Sequence, residues 1–350
     1  MSQYRAFAIQ HTRLFYMIRI SFVMTAILLI VRVFELPYGY WALITAVTIL
    51  GTIPFIGGVL TKANQRVWGT VIGGAVGLAL FLVPEQYHWT HHVLFLGALL
   101  VAMYFTQEKY AYAALMVAIT IVVVAGGGPA DFDAATWRIL NVAWAAVFSV
   151  LSSVFIFPSR ATTHFLYMLE QFLQQSAKYY HQHNQHMHPN GNPDPSTPFE
   201  PLHADKLSAL IDQQQNLLPH VQKETQAHSN LYTNILLIEK RLYADLEALI
   251  STHWDAQQGK DKISDMPGLM ETKEALALQF QQLAEQVANK SVNAVLLEDI
   301  SLLQLIPKGH DELRDDDSDI SYFGYLWLNR EMARQFAHLT EVSSKLFRYQ

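Results

Sequence analysis

The sequence predicts an all-α protein in two parts: a polytopic membrane domain of about six transmembrane helices, then a cytoplasmic α-helical bundle. Three observations lead there. Residues 1–160 carry nine Lys and Arg and five Asp and Glu, whereas the remaining residues of the 350 carry fifteen and twenty-five. The poorly charged part is divided into apolar runs near the 20 residues that a helix needs to cross a bilayer. The charged part shows apolar residues at three- and four-residue spacing and no alternating strand pattern. The shift in composition at Pro158-Ser-Arg160 sets the boundary, giving a membrane domain over 1–160 and a cytoplasmic domain over 161–350.

Six apolar runs follow in order: residues 14–34, 41–60, 67–83 closed by Pro84, 90–105, 110–125 closed by Gly126-Gly-Gly-Pro129, and 136–157 closed by Pro158. The runs at 67–83 and 110–125 contain no charged residue, unlike the surface helix of a soluble protein, which shows a polar stripe. The first run starts too late and is followed by too many others to be a cleaved signal peptide. Arg5, Arg13, Lys62, Arg66, Lys109 and Arg160 fall on one side of this arrangement, against Arg32 and Arg138 on the other. Because basic residues stay on the cytoplasmic side, both termini are expected inside. Tyr38, Tyr40, Trp41, Tyr87, Trp89 and Trp137 gather at the opposite ends, as an interfacial aromatic belt does.

In the second part, residues 161–183 extend the last run as a helix. A linker is expected over 183–203, where Pro189, Pro193, Pro195, Pro198 and Pro201 prevent helix. Helices are expected over 204–218, 227–254, 269–289, 292–305 and 321–348. Leu231, Ile235, Ile238, Leu242, Leu246 and Leu249 form a packing seam along the longest of the middle ones.

The stretch 41–82 concentrates the candidate chemistry. Gly51, Pro54, Gly57 and Gly58 interrupt an apolar run, and such a break frees backbone groups that a transporter can present to its substrate. A simple kink is the alternative. Lys62 and Arg66 then form a basic turn, suited to fixing orientation against lipid phosphates or to capturing an anion. Gly69, Gly73 and Gly77 recur every four residues and allow a second helix to approach closely. Arg19, five residues into the first run, either snorkels to the interface or faces an anion. Arg138 offsets Asp131 and Asp133 or lines an exit. His181, His183, His186 and His188 alternate in a way that could bind a transition metal, but their prolines point to a linker, so no metal site is assigned. With no cysteine, no phosphate-binding Gly-rich loop and no His-Glu-x-x-His, the chain is not expected to be an enzyme or to hold a cofactor, and no nucleic-acid partner is expected.

Pro37-Tyr-Gly-Tyr-Trp41-Ala-Leu-Ile-Thr, then Lys62-Ala-Asn-Gln-Arg66-Val-Trp-Gly69-Thr-Val-Ile-Gly73-Gly-Ala-Val-Gly77, resembles the FUSC family of fusaric acid resistance proteins and aromatic carboxylic acid exporters. The ending Tyr322-Phe-Gly-Tyr-Leu-Trp-Leu-Asn329 is similar to that of the short inner-membrane members. The resemblance implies a bacterial inner-membrane efflux protein, driven by an ion gradient, for small organic anions such as aromatic carboxylic acids. The longer exporters carry two membrane blocks and two soluble blocks, so a homodimer of this shorter chain would restore the full complement. The need for a periplasmic adaptor stays open. Two other readings remain: a membrane scaffold whose helical tail docks a partner, and a passive anion channel.

Overall fold

The structure, a computed structural model, describes residues 7, 9, 11–51, 55–83, 88–126, 132–187, 205–251, 263, 266–305 and 317–348. Its described residues are overwhelmingly helical, with no strand among them. The chain divides into a unit over residues 3–161 and a unit over 162–350.

Among its described residues the first unit contains six apolar helices: α1 (Thr12–Val33), α2 (Tyr40–Leu50), α3 (Ile56–Ala79), α4 (His88–Tyr104), α5 (Ala111–Ala125) and α6 (Phe132–Phe155). α1, α6, α3 with its 3₁₀ extension to Leu82, and α4 with its extension to Gln107 are long and apolar enough to cross a membrane. α2 and α5, with 11 and 15 residues, are shorter than a crossing, at about 16 and 22 Å.

The expected hairpin over 41–82 takes a different form. The second apolar run ends at Leu50, and α3 starts at Ile56 and runs unbroken through Lys62 and Arg66. The polar stretch Thr61–Arg66 is therefore helix and not a turn. Lys, Ala, Gln and Arg are good helix formers, and the stretch has neither Gly nor Pro to stop one. Polarity predicts a loop only where solvent is the neighbour.

The ends of these helices find partners within the unit, as an apolar surrounding demands. α1 closes with Glu35 in the left-handed region at φ 47° and a bond from Leu36 N–H to Val31 C=O. The Tyr16 hydroxyl donates to Leu50 C=O at the end of α2 (2.8 Å). Ile56 N–H, at the start of α3, donates to Ser159 C=O beyond the end of α6 (3.1 Å). The Asn141 amide donates to Pro37 C=O in the α1–α2 turn (2.8 Å) and accepts from the Trp144 indole (3.0 Å).

α3 is the hub. A Cβ on Gly69 would lie 2.6 Å from Ala113 C=O, and one on Gly73 would lie 2.7 Å from Val117 C=O and from Thr120 Cβ. A Cβ on Gly77 would meet Val124 at 2.9 Å. The glycine stripe thus lies against α5, and the register rises in step along both helices, so they run parallel. Gly74 faces Ile139 of α6 instead. Val23, Ile27, Ala42, Ala46, Ile49, Val59 and Ala145 fill the seam among α1, α2, α3 and α6.

The second unit contains α7 (Ala161–Met187), α8 (Asp205–Thr225), α9 (Ser229–Ser251), α10 (Leu269–Ala288), α11 (Ser301–Gln304) and α12 (Asp317–Arg348). α7 continues four residues past His183, so the expected linker does not begin there; residues 188–203 lie outside the described residues. The helix expected over 292–305 is also absent apart from a 3₁₀ turn at Leu297–Asp299 and the short α11. Val292, Asn293 and Val295 are poor helix formers, and side chains claim the backbone there: Asn293 N–H donates to Gln286 and Val295 N–H to Thr340. α9 packs along α12 through the predicted seam, with Ile235, Ile238, Leu242, Leu246 and Leu249 all buried.

Candidate anion site

The buried face of α6 repeats at helical spacing through Ala135, Arg138, Val142, Ala145, Ser149 and Ser152. Arg138 is therefore turned inward with the serines, away from Asp133, which is exposed in the first turn. On α3 the buried face holds Ala63, Arg66, Thr70 and Gly73, and it brings Arg66 inward in the same way. Each arginine is 2% exposed. Arg66 is ten residues into α3, about 15 Å along its axis from Ile56.

The two guanidinium groups lie within electrostatic reach of each other. Arg138 donates through Nη2 to the Thr120 hydroxyl (3.1 Å), which itself donates to Met116 C=O (2.7 Å). The face of Arg138 stacks on Trp41 of α2, with Cζ 3.6 Å from the ring centroid. Arg66 donates through Nη1 to the Met116 thioether, a weak acceptor, and the buried Tyr112 hydroxyl lies beside it. Nε of Arg66, and Nε and Nη1 of Arg138, are buried without a hydrogen-bond acceptor. No described carboxylate forms an ion pair with either arginine.

Burying one charge in a membrane interior costs about 2.5–3.5 kcal/mol on insertion scales, and like charges side by side add repulsion. Two guanidiniums facing neutral partners, with donors to spare, have the chemistry to accept an anion. A carboxylate accepts bidentately from such a fork, and Trp41 and Tyr112 border the site with aromatic surface.

Of the other predicted residues, Lys62 is half-buried one turn before Arg66, with Nζ 5.4 Å from the Tyr112 ring. Lys62 and Arg66 thus flank Tyr112, with Lys62 half-buried and both arginines buried. Arg19 is buried on α1 against Tyr16, at the seam where Tyr16 closes α2. Gly51 caps α2 in helical conformation with its N–H bonded to Val47 C=O, and Pro54 lies outside the described residues. Gly57 and Gly58 are in the first turn of α3, where Gly57 C=O accepts from Thr61 and Gly58 N–H donates to Phe55 C=O. An open groove of about 630 Å³ along α3 and α6, lined by Leu60, Asn64, Val67, Val147 and Leu151 among others, holds no charged side chain and is separate from the arginines.

Arg138, expected to offset Asp131 and Asp133 or to line an exit, lies inside the unit beside Arg66, Thr120 and Trp41. The signal was in the sequence: Arg138 shares a helical face with Ser149 and Ser152, eleven and fourteen residues on. In the second unit, His181 pairs with Glu274 (2.6 Å) while His183 is buried against Tyr325 (3.3 Å). The two imidazoles thus go to different neighbours. Among the described residues no group of three metal-ligating side chains occurs; the His186 side chain and His188 lie outside them.

Residues 25–152 match the family described as fusaric acid resistance protein-like, a span that contains α2–α5 and nearly all of α6. Over 350 aligned residues the chain is 25% identical to the inner membrane protein YeeA of Escherichia coli (strain K12), covering 97% of this chain and 96% of that protein.

Proposed function

We propose that this chain, a member of the fusaric acid resistance protein-like (FUSC) family, is an inner-membrane transporter that exports small organic anions. Aromatic carboxylates are the candidate class and an ion gradient the driving force. The observation that carries this reading is the pair Arg66 and Arg138: two buried guanidiniums on α3 and α6, within electrostatic reach of each other, with donors unmet and no described carboxylate to offset them. An anion entering past Lys62 exchanges its hydration for the two forks, and Trp41 and Tyr112 accept an aromatic ring beside its carboxylate. In the proposed arrangement both termini are cytoplasmic, and two copies assemble to match the two-block exporters.

The test is flux of labelled benzoate through proteoliposomes holding the full chain, with and without a proton gradient. Arg66→Ala and Arg138→Ala each remove a charge-assisted contact of about 1.5–3 kcal/mol, and flux at low substrate should drop by about tenfold or more. Arg138→Lys keeps the charge but loses the fork and the stacking, so it should rescue only in part. Wild-type flux in both alanine variants would show that the anion passes elsewhere. Flux that follows the anion's own potential after the gradient is collapsed would identify a channel, and no flux of any aromatic acid would sink the transport reading.

A further inference from the structure

The second unit contains a buried acid that its position in the sequence disguises. Glu239 interrupts the apolar seam of α9, flanked by Ile238 and Leu242, and is fully buried. Gln214 of α8 is fully buried opposite it. The Gln214 amide nitrogen donates to Glu239 Oε1 (3.0 Å) and reaches Phe165 C=O of α7 (3.5 Å). The other halves of both groups, Glu239 Oε2 and Gln214 Oε1, are buried with no hydrogen-bond partner. Both are oxygens, so as an ionised carboxylate and an amide they have nothing to exchange.

One proton removes the difficulty. Placed on Glu239 Oε2, it can be donated to Gln214 Oε1 while Gln214 Nε2 donates to Glu239 Oε1, giving an acid–amide ring with two hydrogen bonds and no orphan. We propose that Glu239 is held protonated and forms with Gln214 a proton-locked clasp that fastens α8 to α9 and, through Phe165, to α7. The clasp stands independently of the transport reading.

Among the described residues no cation pairs with the alternative, ionised form. α7 contributes the Phe165 carbonyl and α8 the neutral amide. On α9 itself, Lys240 is exposed and donates to Gln215, and Arg241 acts on Asp245 and on Glu331 of α12. Glu224, further along α8, accepts from Thr162 N–H. Burial dominates, and it pushes the Glu239 carboxyl up to about 8. As pH rises through that value the proton leaves, the ring loses a bond, and a bare charge remains among Phe165, Gln214 and the α9 seam. Such a charge must be hydrated, so α8 parts from α7 and α9. The clasp is thus closed at neutral pH and released in alkali, a device that lets the bundle report on the pH around it.

The test uses the full chain in detergent and the variant Glu239→Gln, whose amide can reproduce both bonds of the ring without a proton. Infrared difference spectra between wild type and variant should show a protonated-carboxyl band at pH 6 that fades with a midpoint near 8. In the unfolded chain the carboxyl ionises near 4.5, so the stability tied to the protonated clasp is full below about pH 4.5 and is lost as pH rises to about 8. In thermal unfolding, Glu239→Gln should match wild type at pH 4, melt above it at pH 6 and exceed it further at pH 9. Lys273 and Asp245 titrate in the same range, so the difference between the two proteins is the readout. Absence of the band at pH 6 overturns the proposal, as does a variant that fails to fold or melts well below wild type at pH 6. An unchanged difference in melting temperature between pH 6 and pH 9 overturns the release step.

Discussion

Substituting Gly73 by Ala tests whether contact between α3 and α5 is what the glycine stripe supplies. The added Cβ would lie 2.7 Å from both Val117 C=O and Thr120 Cβ and 3.1 Å from Val117 Cα. Comfortable carbon contacts begin near 3.5 Å, so the helices must part by about 0.5–1 Å. Neither obstacle is the tip of a flexible chain: one is backbone and the other a Cβ in a buried helix, so rotamer change offers no relief. Overpacking of this kind costs about 1–3 kcal/mol, which lowers Tm by about 2–12 °C for a domain of this size. Gly97 on α4 is the internal control, because nothing lies within 4 Å of where its Cβ would be. The assay is thermal unfolding of both variants in the same detergent. Equal melting temperatures for Gly73→Ala and Gly97→Ala would refute the close approach. Gly73→Ala also displaces Thr120, which holds Arg138, so its flux deficit should exceed that of an equally destabilised variant elsewhere.

Two further outcomes follow from buried polar groups. Asn141→Leu strands Pro37 C=O and the Trp144 indole N–H, and it should destabilise the first unit by about 1–3 kcal/mol, measured as a loss in Tm. Lys273 is fully buried between Tyr180 and Tyr325, and burial pushes its ammonium down to about 7. Because the unfolded chain binds that proton more tightly, the stability associated with Lys273 is full above about pH 10.5 and is lost as pH falls through about 7. Lys273→Met should therefore raise Tm near pH 7 and flatten the profile between pH 7 and 10; a variant with the wild-type slope would contradict the assignment.

Much of the fold was legible because the bilayer imposes a length and a composition that a sequence cannot hide. The ends of α1, α4, α5 and α6 lie close to the predicted runs. Besides the helix expected over 292–305 and the start of the linker, the misplaced element was one where local chemistry and surroundings disagree. Thr61-Lys62-Ala-Asn-Gln-Arg66 resembles a solvated turn by polarity and a helix by propensity; the structure follows propensity, because Arg66 finds neighbours on α5 and α6 in place of water. The same holds for the site. Arg66 could be named from the sequence but not its depth, and for Arg138 the sequence left two readings, a partner for Asp131 and Asp133 or a lining residue of an exit. Helical phase carries it to the opposite side of α6, toward Thr120 and Trp41, residues 18 and 97 positions away. Glu239 stayed hidden because one acid inside an apolar seam reads as a boundary residue until Gln214 is seen facing it.

Arg138 touches two elements besides its own: it donates to Thr120 on α5 and lies flat on Trp41 of α2. Those are the two helices of the first unit too short to span a membrane, and so the least able to hold a position by hydrophobic length alone. A single side chain bridges both, in addition to the packing that seats α5 on α3 and α2 in the α1–α6 seam. A guest that recruits the Arg138 fork competes with the Thr120 hydroxyl and the Trp41 ring, so recognition at this residue is coupled to the two shortest spokes of the wheel.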